Sequence, residues 1–154
     1  MMNLCSDVLK ALEGRTLVTA ESLTGGGIGA ALTAVPGASA VYKGGVISYC
    51  DDVKHEILGV SRDTLNRVGA VSAHTAMEMA KGVRKLLKAD TAVSVTGLAG
   101  PGGDDHGHEV GTVFIGFSSD LYDLAREYHF SGNRDEVRRQ TIQAALELIL
   151  EQIE

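Results

Sequence analysis

The sequence predicts an α/β protein, a three-layer α/β/α sandwich around one mixed, mostly parallel sheet. Three observations carry this. Stripes of apolar residues at helical spacing alternate with short apolar runs. Two of those runs, Thr16–Ala20 and Thr91–Thr96, lack a polar face, as strands covered on both sides do. After a long glycine-rich loop, two strand-like segments follow each other with no helix between them, which demands an antiparallel step.

The elements follow in chain order. Cys5, Val8, Leu9 and Leu12 mark a first amphipathic helix ended by Gly14. Strand Thr16–Ala20 leads into a glycine-opened helix over Gly25–Val35, stopped by Pro36-Gly37. The Val41–Tyr49 segment holds a second strand, VISY, after the Gly44-Gly45 pair. Asp51-Asp52 cap a short helix that Gly59 stops, and Ser61 caps another that runs to Arg67. Ser72 starts a longer helix with Ala73, Ala76, Met77, Ala80, Val83 and Leu87 on one face. After strand Thr91–Thr96 comes a polar loop of thirteen residues, Gly97–Glu109, long enough to be functional or mobile. Strands Val110–Phe117 and Tyr122–Ser131 precede a last helix, opened by Asn133 and Glu136 in a capping box. Its stripe is Ile142, Ala145, Leu146, Ile149, Leu150 and Ile153.

The 154 residues suit one domain, read as 1–154. Fourteen Lys and Arg against twenty Asp and Glu leave a net charge of −6, which argues against tracking a nucleic-acid backbone. No apolar run approaches the ~20 residues that span a bilayer, and the N-terminus has no basic stretch followed by an apolar one. Cys5 and Cys50 make neither a disulfide framework nor a zinc motif, so the cytoplasm is the simplest location. Glycine is the anomaly, at 19 of 154 residues, about 12% against ~7% in average proteins.

Three segments could carry chemistry. Ala20–Gly27 (AESLTGGG) lies where a buried strand gives way to a helix, the place where open α/β sheets bind ligands. Its glycines let a ligand approach the backbone, and a helix N-terminus there favours an anion. It has no P-loop spacing, and the plain alternative is a tight turn with Ser22 or Thr24 as N-cap. Gly45–Lys54 places Tyr49 at a strand end and Lys54 on a short helix, either as working groups or as packing and surface residues. Thr96–Gly103 (TGLAGPGG) is a second glycine-rich turn after a second buried strand, and the two turns together point to one crevice. Asp104, Asp105, His106, His108 and Glu109 match no zinc spacing and read as a solvated loop, with no metal. Arg134, Arg138 and Arg139 are either a solvated helix face or a phosphate clamp.

Taken together, AESLTGG, VPGASAVYKGGVISY with DDVK, TGLAGPGG, VGTVFIGF and GNRDEVRRQ run in order over nearly the whole chain. They resemble the CinA C-terminal domain family, whose characterised members are nicotinamide mononucleotide deamidases. The likeness is to the stand-alone form, without the molybdopterin-binding-like domain of longer members. The sequence departs from the usual pattern at Leu23, where cysteine is common, at Asp51-Asp52, where asparagine is common, and at Glu109, where proline is common.

The resemblance implies a serine amidohydrolase that needs no metal or cofactor, with Ser22 as nucleophile and Lys54 as its base. Its expected substrate is nicotinamide mononucleotide, hydrolysed to nicotinic acid mononucleotide and ammonia. Lys54 serves only when neutral; burial lowers its pKa, and a close Asp51 or Asp52 raises it. Tyr49 and Thr96 are expected to orient Ser22 or Lys54. Backbone N–H groups of Thr24–Gly26 or Gly97–Gly100 are the candidate oxyanion donors. The expected substrate contacts are Glu21, Thr24, Gly25, Gly26, Gly97 and Gly100, with Arg134 or Arg138 at the phosphate. Ser39, in P-G-A-S-A, is the rival nucleophile. The alternative function is a non-catalytic nucleotide-binding or protein-interaction module linked to competence or damage response. The apolar terminal helices leave room for a homo-oligomer.

Overall fold

The computed structural model describes residues 1–153. Among them six helices and five strands follow the predicted order. They are α1 (Met2–Ala11), β1 (Leu17–Glu21), α2 (Gly27–Thr33), β2 (Tyr42–Ile47), α3 (Asp51–Glu56), α4 (Arg62–Arg67), α5 (Ala73–Leu86), β3 (Thr91–Gly97), β4 (Thr112–Ser119), β5 (Asp123–His129) and α6 (Arg134–Ile153). A short 3-10 turn at Ala38–Ala40 precedes β2. No helix among the described residues is long and apolar enough to cross a membrane.

The sheet order is β2-β1-β3-β4-β5. β1 pairs in parallel with β2 and β3, while β4 pairs antiparallel with β3 and with β5. Four strands therefore point one way and only β4 is reversed. The chain leaves β1 for β2 on one side and reaches β3 on the other, so a crevice forms at the carboxyl ends of β1 and β3.

Alternation along the strands builds the two cores. Leu17, Val93, Val95, Val113, Ile115 and Phe117 face α1, α2 and α6, and pack on Val8, Leu32, Leu146 and Ile149. Val18, Ala20 and Ala92 face the opposite way, toward Leu58, Val60 and Leu65 and toward Met79, Ala80 and Val83 of α5. In α5 the buried methionine is Met79, whereas Met77 is half-buried, so the apolar stripe is turned from the predicted one. Ser61 and Ser72 cap α4 and α5 by accepting from the N–H groups of Thr64 and Thr75. The α6 capping box forms as predicted, with Asn133 and Glu136 exchanging 2.9 Å bonds.

Two local readings change. β2 starts earlier than VISY and contains both glycines. Gly44 sits at a bulge with φ 146°, and a Cβ on Gly45 would fall 2.2 Å from Thr19 Oγ1, so the glycines admit a close strand rather than break one. The N-cap of α3 is Cys50, with Asp51 and Asp52 inside its first turn. There the acidic side chains still suit the helix dipole.

Candidate functional site

Ser22 is the first residue after β1, and Lys54 stands on the second turn of α3. The fold brings them together across 32 positions, with Lys54 Nζ 3.0 Å from Ser22 Oγ. Lys54 is 1% exposed and Ser22 7%. A lysine so deeply placed is uncommon, because burying an ammonium in a low-dielectric site is costly. Its alignment descends from β1. The Glu21 carbonyl accepts from both the backbone N–H (2.7 Å) and the Oγ (3.2 Å) of Ser48, and Lys54 Nζ donates to the Ser48 carbonyl at 2.7 Å. Burial pushes the Lys54 pKa below its ordinary value of 10.5, while the nearby Asp51 and Cys50 pull it back up.

The pair opens into a cavity of about 560 Å³. The β1 turn contributes Ser22 and Leu23. The β3 turn contributes Thr96, Gly97 and Gly100. The α4–α5 connection contributes Gly69, Ala70 and Val71. Asp51, Tyr49 and Arg134 stand on one side, and Asp104, Asp105 and His106 of the long loop close the mouth. The wall from Leu65 to Val71 was not foreseen, since nothing in its local pattern marks it, and Asp104 and Asp105, read from the sequence as part of a solvated loop, line the cavity.

The predicted residues divide sharply by position. Ser22, Lys54, Tyr49, Thr96, Gly97, Gly100 and Arg134 line the cavity; Glu21, Thr24, Gly25, Gly26 and Arg138 do not. Thr96 Oγ1 donates to the Ala70 carbonyl at 2.7 Å and so ties β3 to the opposite wall, not to Ser22 or Lys54. Tyr49 is 61% exposed, and its hydroxyl accepts from Arg134 Nη2 at 2.9 Å. Arg134 Nη1 donates to the Gly100 carbonyl at 2.7 Å, which bridges two loops at the mouth.

The α2 N-terminus is already occupied from inside the protein. Glu21 is buried, and its carboxylate accepts from the N–H groups of Ile28 (2.9 Å) and Gly29 (3.0 Å) and from Thr24 Oγ1 (2.6 Å). The N-cap is Gly26 in a left-handed conformation, neither Ser22 nor Thr24. An external anion has no free helix end there. Ser39 is exposed in the middle of the 3-10 turn and outside the cavity.

Of the candidate oxyanion donors, the Gly25 N–H is used inside the turn, donating to the Ser22 carbonyl, and Thr24 and Gly26 lie outside the cavity lining. The N–H groups of Ala99 and Gly100 donate to no group among the described residues, and both residues line the cavity. In the long loop, Asp104 accepts from the His106 and His108 N–H groups and pairs with His108 Nδ1 at 2.6 Å. Among the described residues no cluster of three or more His, Cys, Asp or Glu side chains is arranged to hold a metal ion.

Comparison with known proteins identifies the family. Residues 1–153 match the family described as the CinA C-terminal domain. A "CinA-like protein" of Thermosynechococcus vestitus (strain NIES-2133 / IAM M-273 / BP-1) is 46% identical over 142 residues, 90% of this chain and 34% of that protein. The chain spans about a third of the length of the curated relatives it matches. A crystal structure of a competence-damaged protein (CinA) superfamily protein from Klebsiella pneumoniae 700603 superposes with a TM-score of 0.96 at 34% identity, covering 99% of this chain and 96% of that one. A competence/damage inducible protein, CihA, from Agrobacterium tumefaciens gives 0.95 at 37% identity, covering 99% and 95%. By sequence over nearly its whole length and by fold, the chain belongs to the CinA C-terminal domain family.

Proposed function

We propose that the protein hydrolyses the carboxamide of nicotinamide mononucleotide, with Ser22 as nucleophile and Lys54 as its general base. The observation that carries this reading is the buried Lys54 amine 3.0 Å from the Ser22 hydroxyl at the floor of a cavity. A serine hydroxyl is a poor nucleophile at neutral pH and needs such a partner. Burial favours the neutral amine. A neutral amine donates to Ser48 and still has a lone pair for the serine proton.

In the first step Ser22 Oγ bonds to the amide carbon while Lys54 Nζ takes its proton. The carbonyl oxygen becomes an oxyanion, for which the Ala99 and Gly100 N–H groups are the donors at the cavity wall. Collapse breaks the C–N bond, and Lys54 returns the proton to the departing amine, which leaves as ammonia. Water then attacks the acyl-serine with Lys54 again as base, releasing the carboxylate and restoring the hydroxyl. The cavity volume suits a mononucleotide. The cationic pyridinium ring meets the carboxylate of Asp51, and Arg134 at the mouth is the cation for the phosphate.

Purified protein incubated with nicotinamide mononucleotide should release ammonia, and Ser22→Ala should lose essentially all of it while keeping its melting temperature within a few degrees. Residual turnover in a folded Ser22→Ala protein refutes the serine mechanism. Binding without turnover in the parent moves the function to a nucleotide-binding module.

A further inference from the structure

Arg138 carries a charge on the first turns of α6, yet it does not face the cavity. Both of its bonded nitrogens reach back across the chain to one short segment. Nε donates to the Leu23 carbonyl at 2.9 Å and Nη2 to the Thr24 carbonyl at 3.1 Å. Those carbonyls belong to the two residues that follow Ser22. The guanidinium also lies 3.6 Å from the position a Cβ would take on Gly25, at φ +59°. A planar fork matched to two successive carbonyls is a geometry lysine cannot copy.

The same segment is held from the other side. Glu21 anchors the first N–H groups of α2 and the Thr24 hydroxyl. Ser22 therefore sits in a turn with a buried carboxylate on one flank and a bidentate guanidinium on the other. Between them the turn has few bonds of its own, the 3.1 Å Gly25–Ser22 and 3.0 Å Gly27–Thr24 links. An error of about 1 Å in a nucleophile's place can cost on the order of 100-fold in rate. Losing a fork at this point is the kind of change that produces such an error.

We propose that Arg138 is a positioning residue for the Ser22 nucleophile, acting through the Leu23 and Thr24 carbonyls and making no contact with substrate. This rests on the amidohydrolase reading. It predicts a loss of kcat with little change in KM, because of the residues that line the cavity only Ser22 and Leu23 belong to the turn that Arg138 holds. It also predicts that the guanidinium itself, not merely a positive charge, is required.

The test compares the parent with Arg138→Ala and Arg138→Lys. Ammonia release from nicotinamide mononucleotide is followed with and without millimolar guanidinium, and Ser22 labelling by a sulfonyl fluoride is followed by intact mass. We expect kcat of Arg138→Ala to fall roughly 10- to 100-fold, with KM within about twofold. Added guanidinium should restore part of the rate, since Arg138 is only partly buried. Arg138→Lys should recover little, and Ser22 labelling should slow in step with kcat. A raised KM at unchanged kcat overturns the proposal and makes Arg138 a substrate ligand. Unchanged kcat, or no rescue by guanidinium, also overturns it. A parent inert toward the nucleotide but labelled at Ser22, with labelling slowed in Arg138→Ala and rescued by guanidinium, keeps the positioning role and rejects the substrate. A parent not labelled at Ser22 rejects both.

Discussion

The side chain on which the chemistry turns is Lys54, and its protonation is balanced by opposing neighbours. Burial drives the amine toward neutrality, and the Asp51 carboxylate works against it. The acid limb of a kcat/KM–pH profile should therefore report Lys54 losing its proton. Removing the opposing charge moves that limb in a defined direction. In Asp51→Asn the ammonium loses a stabilising partner, so the limb should move to lower pH. A limb that stays in place, or moves up, means that it belongs to another group. Lys54 also shows what a sequence hides at this scale. In D-D-V-K-H-E it has the setting of a surface lysine, and only the bond to Ser48 and the cover of the fold make it a buried base. Arg138 hides in the same way. Its spacing on α6 was legible, but its partners lie 114 and 115 positions away.

Helix and strand existence is set by local pattern, and here that pattern was legible from end to end. Stripes such as Cys5, Val8, Leu9 and Leu12 need no tertiary knowledge, and all four are buried. What local pattern does not contain is how close two elements come. The Gly44-Gly45 pair looks like a break in isolation and is a close contact in the sheet. Gly116 is a second case, in the middle of β4 where α5 crosses. A Cβ there would lie 2.4 Å from the Ala76 carbonyl oxygen and 2.6 Å from Ser94 Oγ, which itself donates to that carbonyl. Neither backbone nor buried serine can step aside cheaply, so Gly116→Ala should cost about 1–3 kcal/mol as overpacking. For a chain of this size that is about 2–4 °C in Tm for each kcal/mol. Calorimetry on the variant checks it, and an unchanged Tm means that α5 does not press on the sheet as closely as described. The α4–α5 connection that walls the cavity is tied to β3 by the Thr96–Ala70 hydrogen bond, so a displaced α5 should also raise KM.

At the scale of the whole molecule, the site and the stability of the fold oppose each other. The crevice lies where the topology puts it, at the ends of β1 and β3, and this much followed from strand order. Its far wall comes from a segment with no local mark of function, and the Gly97–Glu109 loop was marked by its length without any sign that its carboxylates meet the crevice, so only the assembled fold shows both. Placing a lysine on the floor of that crevice has a cost that the rest of the core must offset. Lys54→Met should lose turnover and yet be more stable near neutral pH, by about 0.5–2 kcal/mol. Part of the gain is offset because the Ser48 carbonyl loses its donor. The sign of the pH dependence follows from the lowered pKa. Between the folded value of Lys54 and 10.5, the unfolded chain holds a proton that the folded chain has released. The parent therefore gains stability with rising pH across that window, by at most about 1.4 kcal/mol per unit. Below the folded value both states are protonated and the full penalty remains. Buried Cys5 and half-buried Tyr42 and Tyr128 have raised pKa values that act the opposite way above about pH 9, but they are common to both proteins and cancel in the difference. Denaturant unfolding of parent and Lys54→Met from pH 7 to 10 should show the gap closing as pH rises. A gap that stays constant over that range means that Lys54 keeps its proton in the fold, and an ammonium cannot be the base that activates Ser22.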